Sequence, residues 1–196
     1  QILHEAENQV DVFIHAAGIE KSRKIDTKAI EEFDQIISVK ANGFLNLFTA
    51  LEKNALLPKR VIFFSSVAGR FGNSGQTDYA AANDLLSKYA MWLPTQYPGL
   101  QAISIDWSAW GEVGMASRGH ISELMKRAGI EMLKPEEAAP MVYRLLAGRQ
   151  NGEVVVAQSL GLLDAVPSKN EILDIASAND ALRLKLPSYP LFNRII

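Results

Sequence analysis

The chain has no cysteine, which excludes disulfides, thiol nucleophiles and thiolate metal sites and is compatible with the reducing cytoplasm expected for it. Its three histidines, His4, His15 and His120, show no metal-ligand spacing, so no metal is expected. Charge of one sign is not in excess. A formal net charge of −2 gives no footprint for nucleic acid or for an anionic membrane. No apolar run approaches the roughly 20 residues of a membrane-spanning helix, and residues 1–10 show no secretory signal. Gly-x-Gly-x-x-Gly is also missing. Gly69, Gly72 and Gly75 have a different spacing, so a phosphate-cradling loop after a first strand must lie upstream or not exist. What remains is 196 residues, 48% hydrophobic and 21% charged, the make-up of one globular domain or most of one.

Residues 10–15 (VDVFIH) form a short apolar run that ends in Ala16, Ala17 and Gly18, which predicts a buried strand entering a tight turn. Asp26 or Thr27 can cap a helix with Glu31 and Glu32 in its early turns. Apolar positions at Ile30, Phe33, Ile36, Ile37, Phe44, Leu47, Phe48 and Leu51 then carry a helical stripe to about Asn54. A second strand is expected at 60–64, followed by a loop through Gly69, Gly72 and Gly75, and a helix at about 76–93. A third strand is expected at 100–107, a Gly-punctuated lid at about 111–135, a helix from Pro135 to about Leu146, and a fourth strand at 153–157. Strand alternating with helix predicts α/β architecture, a Rossmann-like parallel sheet with flanking helices. It would lack its N-terminal glycine-rich βαβ part in this chain. Its first strand would then expose an apolar edge, which a preceding segment or another polypeptide is expected to cover. The expected division is a catalytic part at 1–160 and a linker or tail at 161–196.

The chemistry concentrates in residues 65–83 (SSVAGRFGNSGQTDYAAAN). Ser66 sits at a strand end, Tyr79 follows thirteen positions later near a helix start, and Asn83 lies one turn on, on the same helical face. Lys40 comes from the preceding helix, three residues before Gly43, whose missing side chain would permit close approach of a neighbouring element. Parallel crossovers bring strand C-termini to one edge, where ligands bind. A serine, a tyrosine and a lysine gathered there can reduce a carbonyl. Tyrosine, with a pKa of ~10, is a poor acid near neutrality unless its phenolate is stabilised, and a nearby ammonium lowers that pKa. The serine hydroxyl can donate to the substrate oxygen as negative charge develops there. The hydride must come from a cofactor, because no side chain supplies one. Each residue alone is more often packing, surface or turn; it is their joint spacing that points to chemistry.

These residues resemble the short-chain dehydrogenase/reductase superfamily. Most members carry Asn on the long helix and a Tyr-x-x-x-Lys pair. Here Lys40-x-x-Gly43 and Tyr79-x-x-x-Asn83 exchange the lysine and the asparagine, as in ketoreductase domains of type I polyketide synthases and related fatty-acid synthases. His15, Ala16, Ala17 and Gly18 resemble that branch's turn after the strand, residues 106–116 (DWSAWGEVGMA) its segment after the sixth strand, and residues 127–138 the end of its lid. The resemblance covers about residues 10–157. It implies NADPH as cofactor and, as substrate, a 3-oxoacyl chain on the phosphopantetheine arm of an acyl carrier protein. By the same resemblance Tyr79 protonates the carbonyl oxygen, Ser66 orients it, and Lys40 tunes Tyr79 and contacts the nicotinamide ribose. Asn83 holds the lysine and an ordered water, and the cofactor is lined by His15, Ala16, Ala17, Gly18, Lys40, Tyr79, Trp107 and Met115. His15 is expected as a turn residue whose backbone approaches the cofactor, and Trp107 and Trp110 as space filling or as a wall near nicotinamide or substrate.

Glu20, Lys21 and Ser22 stand where one stereochemical branch has Leu-Asp-Asp, and no tryptophan accompanies Phe71, so the alcohol configuration stays open. Lys21, Arg23 and Lys24 read as a solvated loop, with carrier-protein docking as the alternative. Two other functions compete with carrier-bound reduction within a synthase. A free-standing 3-oxoacyl carrier-protein reductase would place lysine at Asn83. A non-catalytic half-domain scaffolding a synthase would have no need of the four polar residues.

Overall fold

The computed structural model describes residues 9–114, 127, 129–148 and 150–160. Residues 1–8, most of the expected lid (with Met115 and Ala116), His120 and the tail at 161–196 lie outside the described residues. Strands β1 (Val12–His15), β2 (Arg60–Ser66), β3 (Gln101–Trp107) and β4 (Gly152–Val156) form one sheet in that order. Every pairing is parallel, which requires crossover connections. Helix α1 (Ile30–Ile37), a π-helical turn (Ser38–Asn42) and helix α2 (Gly43–Lys53) join β1 to β2. Helices α3 (Val67–Phe71) and α4 (Thr77–Gln96) join β2 to β3, and α5 (Pro135–Ala147) leads into β4.

The central strands read as apolar runs because both faces are covered. Val61 and Phe63 of β2 face Phe44, Phe48, Leu86, Ala90 and Leu93 of α2 and α4. Ile62, one residue over, packs with Ile103, Ile105, Trp107 and Ala138 on the other side. Each such side chain, fully buried, contributes about 1.5–3 kcal/mol. Among the described residues β1 is paired only with β2, and its Val12 and Ile14 are 36% and 46% exposed.

The first crossover departs from the single striped helix that the sequence suggests. Neither Asp26 nor Thr27 caps it. Helix α1 begins at Ile30 behind Ala29, with no side-chain cap, because residues 24–27 close a turn in which Thr27 Oγ1 donates to the Lys24 carbonyl. Ile30 and Leu47, placed on the stripe, are 66% and 42% exposed. The π-helical turn is the reason for Leu47, whereas Ile30 precedes it, about 120° round α1 from the buried Ile36. At about 100° per residue, Ile36 and Phe44 would stand about 80° apart on a regular α-helix. One extra residue in a widened turn restores a seven-residue phase and lets both reach zero exposure. The loop expected through Gly69 contains α3, capped by Ser66.

Candidate active site

The parallel register brings Ser66, Trp107 and Val156 level at the C-terminal edge of the sheet, while β1 stops earlier, with His15 opposite Phe63. Ser66 ends β2 in extended conformation, and its Oγ accepts from the Ala68 N–H at 3.2 Å. That bond turns the chain into α3, which crosses α4 closely. A Cβ on Gly69 would lie 2.8 Å from the Asp84 nitrogen and 2.9 Å from Asn83 Cβ, so glycine is what permits the crossing. Tyr79 sits in the first turn of α4 and is 8% exposed. Asn83, one turn on, is fully buried rather than on the helix surface. Its Nδ2 donates to the Tyr79 carbonyl at 2.7 Å, and its Oδ1 has no partner.

Lys40 projects from the π-helical turn, buried to 3% exposure. Its ammonium donates to the Phe64 carbonyl at 3.0 Å and lies 5.6 Å from the centre of the Tyr79 ring, within cation–π range. The glycine that meets Lys40 is Gly18, not Gly43. A Cβ on Gly18 would fall 2.9 Å from Lys40 Cε and 3.3 Å from Nζ, whereas one on Gly43 would meet only ordinary contacts at 3.5 Å and beyond. His15 is not a turn residue. It is the last residue of β1, its ring buried among Phe13, Phe44 and Phe63. Its Nε2 lies 2.7 Å from the Lys40 carbonyl; a carbonyl only accepts, so Nε2 carries the proton. Burial holds the ring's pKa down, consistent with a neutral imidazole bracing the turn that presents Lys40.

Burial also pushes the Lys40 ammonium down to about 8. Tyr79 differs from the sequence expectation, because its pKa is raised rather than lowered. Burial is the largest cause, the Ser66 and Asn83 side chains oppose it by hydrogen bonding, and the charge of Glu20 adds to it. A phenol so held keeps its proton near neutrality, the state needed to donate one. The structure thus brings Lys40, Ser66, Tyr79 and Asn83 to one place. Ala16 and Ala17 are exposed beside it. Trp107 is level with Ser66 but packs into the core with Phe64 and Trp110, at ring distances of 5.5 and 5.0 Å. Of the basic residues, Lys21 bonds to Gln35 and Arg23 to Glu32, which ties the loop to α1.

Two polar assemblies beside the site go unread in the sequence. Asp106 is fully buried between strands and bonded by Ser87 and Ser104. Burial foremost, then the Glu153 carboxyl against it, pushes its pKa up to about 8. Glu153 is held low by its bond to Asp106 and by Arg70, 2.9 Å away. The Asp106 Oδ2 has no donor aimed at it; a proton on Asp106, donated to Glu153, satisfies both carboxyls. The Ser104-x-Asp106 alternation facing Ser87 was the available signal. The second assembly is a buried ion pair between Lys28 and Asp78, for which spacing gives no signal.

The sequence profile of the KR domain matches residues 1–112. The chain is 32% identical over 158 residues to a polyunsaturated fatty acid synthase polypeptide of Thraustochytrium sp., covering 79% of this chain and 5% of that protein. It is 32% identical over 148 residues to polyketide synthase PksN of Bacillus subtilis, covering 73% and 3%. Among solved structures it is similar to A-type ketoreductases from a modular polyketide synthase (27% identity, TM-score 0.67, 75% of this chain and 30% of that one). It is likewise similar to a ketoreductase domain from the bacillaene assembly line (27%, 0.67, 80% and 39%). The chain therefore spans a small part of the length of these relatives.

Proposed function

The chain belongs to the KR domain family, and from that premise we propose that it is the catalytic part of a ketoreductase that reduces a carrier-bound 3-oxoacyl thioester to the 3-hydroxyacyl thioester with NADPH. The observation that carries this reading is the convergence of Lys40, Ser66, Tyr79 and Asn83, three of them under 10% exposed, at the C-terminal edge of a parallel sheet. One feature fits a bound nicotinamide cofactor: Gly18, whose missing side chain lets the backbone lie against Lys40. Ala16, Ala17, Gly18, Lys40 and Tyr79 would hold it, with Met115 as a further candidate. When bound, NADPH supplies the hydride for the 3-keto carbon.

Tyr79 gives its phenolic proton to the carbonyl oxygen as charge develops there. Ser66 Oγ caps α3 as an acceptor and, through its own O–H, donates to the same substrate oxygen. Lys40, a cation below about pH 8, stabilises the phenolate left on Tyr79, and Asn83 Oδ1 receives the ammonium or a water between them. His15 acts at one remove, through the Lys40 carbonyl.

In the same reading residues 1–160 form the catalytic part, 161–196 a linker or tail, and a preceding segment or second polypeptide covers β1. An acyl carrier protein delivers the substrate, and the setting is cytoplasmic; among the described residues no helix is long and apolar enough to cross a membrane. The test is NADPH oxidation with a 3-oxoacyl N-acetylcysteamine thioester, on this chain and on the intact polypeptide. Turnover that Tyr79→Phe abolishes while NADPH still binds supports the reading. Full activity in Tyr79→Phe removes the assignment, and folded but inactive wild type favours a scaffolding half-domain.

A further inference from the structure

Lys28 and Asp78 form an ion pair of 2.5 Å with side chains 1% and 0% exposed. A buried pair seldom stabilises a fold better than apolar residues of the same volume, and its best-attested use is to fix one arrangement among several. The bonds around this pair identify what it fixes. Asp78 directly precedes Tyr79, and its Oδ1 accepts both the Lys28 ammonium and the Tyr79 backbone N–H, the latter at 2.9 Å. In the first turn of a helix the N–H groups need partners from outside the helix. The Gly75 carbonyl, four residues before Tyr79, is occupied by the Arg23 N–H at 2.8 Å. Lys28 also donates to the Lys21 carbonyl at 2.9 Å, and Gln76 Nε2 donates to Glu20 Oε1 at 3.0 Å. The segment from Glu20 to Lys28 is thereby latched to the first turn of α4, and Lys28 makes the buried link.

We propose that Lys28 and Asp78 are positioning residues for Tyr79, their ion pair holding the first turn of α4 against the 20–28 segment and so setting where the phenol points. This rests on the carbonyl-reduction reading above. The phenol oxygen is at the far end of a long rigid side chain, so a slight tilt of the turn carries it by about 1 Å, a displacement that can cost on the order of 100-fold in rate. A pair of apolar residues could fill the same space without offering the Tyr79 N–H an acceptor.

The test uses three variants in the intact polypeptide: Lys28→Met, Lys28→Arg, and the double variant Lys28→Met/Asp78→Leu. Thermal midpoint, NADPH Kd, and kcat and KM for a 3-oxoacyl N-acetylcysteamine thioester are measured on each. Lys28→Met leaves a buried carboxylate alone and lowers both midpoint and kcat. The double variant regains the wild-type midpoint, yet its kcat stays at least about tenfold low with NADPH Kd unchanged; Lys28→Arg keeps most of the activity. Wild-type kcat in the double variant or in Lys28→Met would make the pair merely structural and overturn the proposal. Amide hydrogen exchange on Lys28→Met gives a reading that does not depend on the double variant folding. Tyr79 is expected to lose protection while Leu86 in the same helix keeps it, and unchanged Tyr79 protection defeats the idea. If wild type reduces no thioester, the reduction reading has failed, and this inference with it; an active wild type with equally active variants isolates the failure to the ion pair.

Discussion

Adding one methyl at Gly69 should damage the site without replacing any of its polar groups. The Cβ of an alanine there would stand 2.8 Å from the Asp84 nitrogen, 2.9 Å from Asn83 Cβ and 3.0 Å from the Asn83 carbonyl carbon. All three neighbours belong to a helix core, so no flexible side-chain end can swing aside. To reach the 3.4 Å of an ordinary contact, α3 and α4 must separate by about 0.6 Å. Such overpacking costs about 1–3 kcal/mol, a fall in melting temperature of roughly 3–10 °C for a domain of this size. The separation runs between Ser66, which caps α3, and Tyr79 and Asn83 on α4. A shift approaching 1 Å between catalytic groups can cost 100-fold, so Gly69→Ala is expected to lower kcat by about tenfold or more. Gly72→Ala is the control. Its Cβ would meet nothing within 4 Å, but the backbone has φ of 75°, so it should lose about 1 kcal/mol and leave turnover near wild type. Calorimetry with thioester turnover reads both variants. Gly69→Ala with the melting temperature and kcat of wild type would refute the claim that this crossing sets the site's geometry.

Two pH-linked predictions follow from the buried charges. Lys40 titrates at about 8 against 10.5 in the open chain, so the unfolded state holds the proton more tightly. The penalty for burying the cation is complete below about pH 8 and is relieved as pH rises from there towards 10.5. Lys40→Met should therefore melt higher than wild type at pH 7, lose that advantage by pH 10, and fail to reduce substrate. Wild-type turnover should itself decline above about pH 8 as the ammonium is lost; a Lys40→Met protein that melts lower at pH 7 would contradict the account. Asp106 has the opposite sense. Raised to about 8 from 3.8, it binds its proton more tightly when folded, so stability falls as pH climbs between those values. Asp106→Asn, whose amide can donate to Glu153, should flatten that slope and raise the melting temperature at pH 8 by a few degrees. An unchanged slope would mean the proton is not held there.

The four strands and the helices over Thr77–Gln96 and Pro135–Ala147 were legible because their signals are local: apolar runs between glycines, and Pro135 followed by two glutamates. Spacing and the family resemblance picked out Lys40, Ser66, Tyr79 and Asn83 as candidates, and the structure gathers them in one place. What escaped was set by non-local contact. Nothing in the composition of Ser38–Asn42 marks a widened turn, so a continuous stripe put Leu47 inward and credited Gly43 with the close approach that Gly18 makes. Nothing in the sequence ties Lys28 to Asp78, fifty residues away, until the fold brings them together. The direction of Tyr79's pKa shift was missed for a similar reason. Charge proximity is visible as a lysine in the sequence, whereas the desolvation that outweighs it appears only once the helices have packed.

The widened turn at Ser38–Asn42 makes the position of Lys40 a matter of residue count. Ile36 and Phe44, eight residues apart, reach the same core only because the turn between them takes up one extra residue, and Lys40 is in that stretch. Homologues should therefore tolerate substitution at Ser38, Val39, Ala41 and Asn42 more readily than a change in the length of the turn. A single deletion would let the helix close into regular geometry with seven residues from Ile36 to Phe44, which keeps Phe44, Phe48 and Leu51 within about 20° of that register but removes the widened turn that presents Lys40. A one-residue gap at this point in an alignment would therefore mark chains that keep this core but lose the turn that presents the lysine.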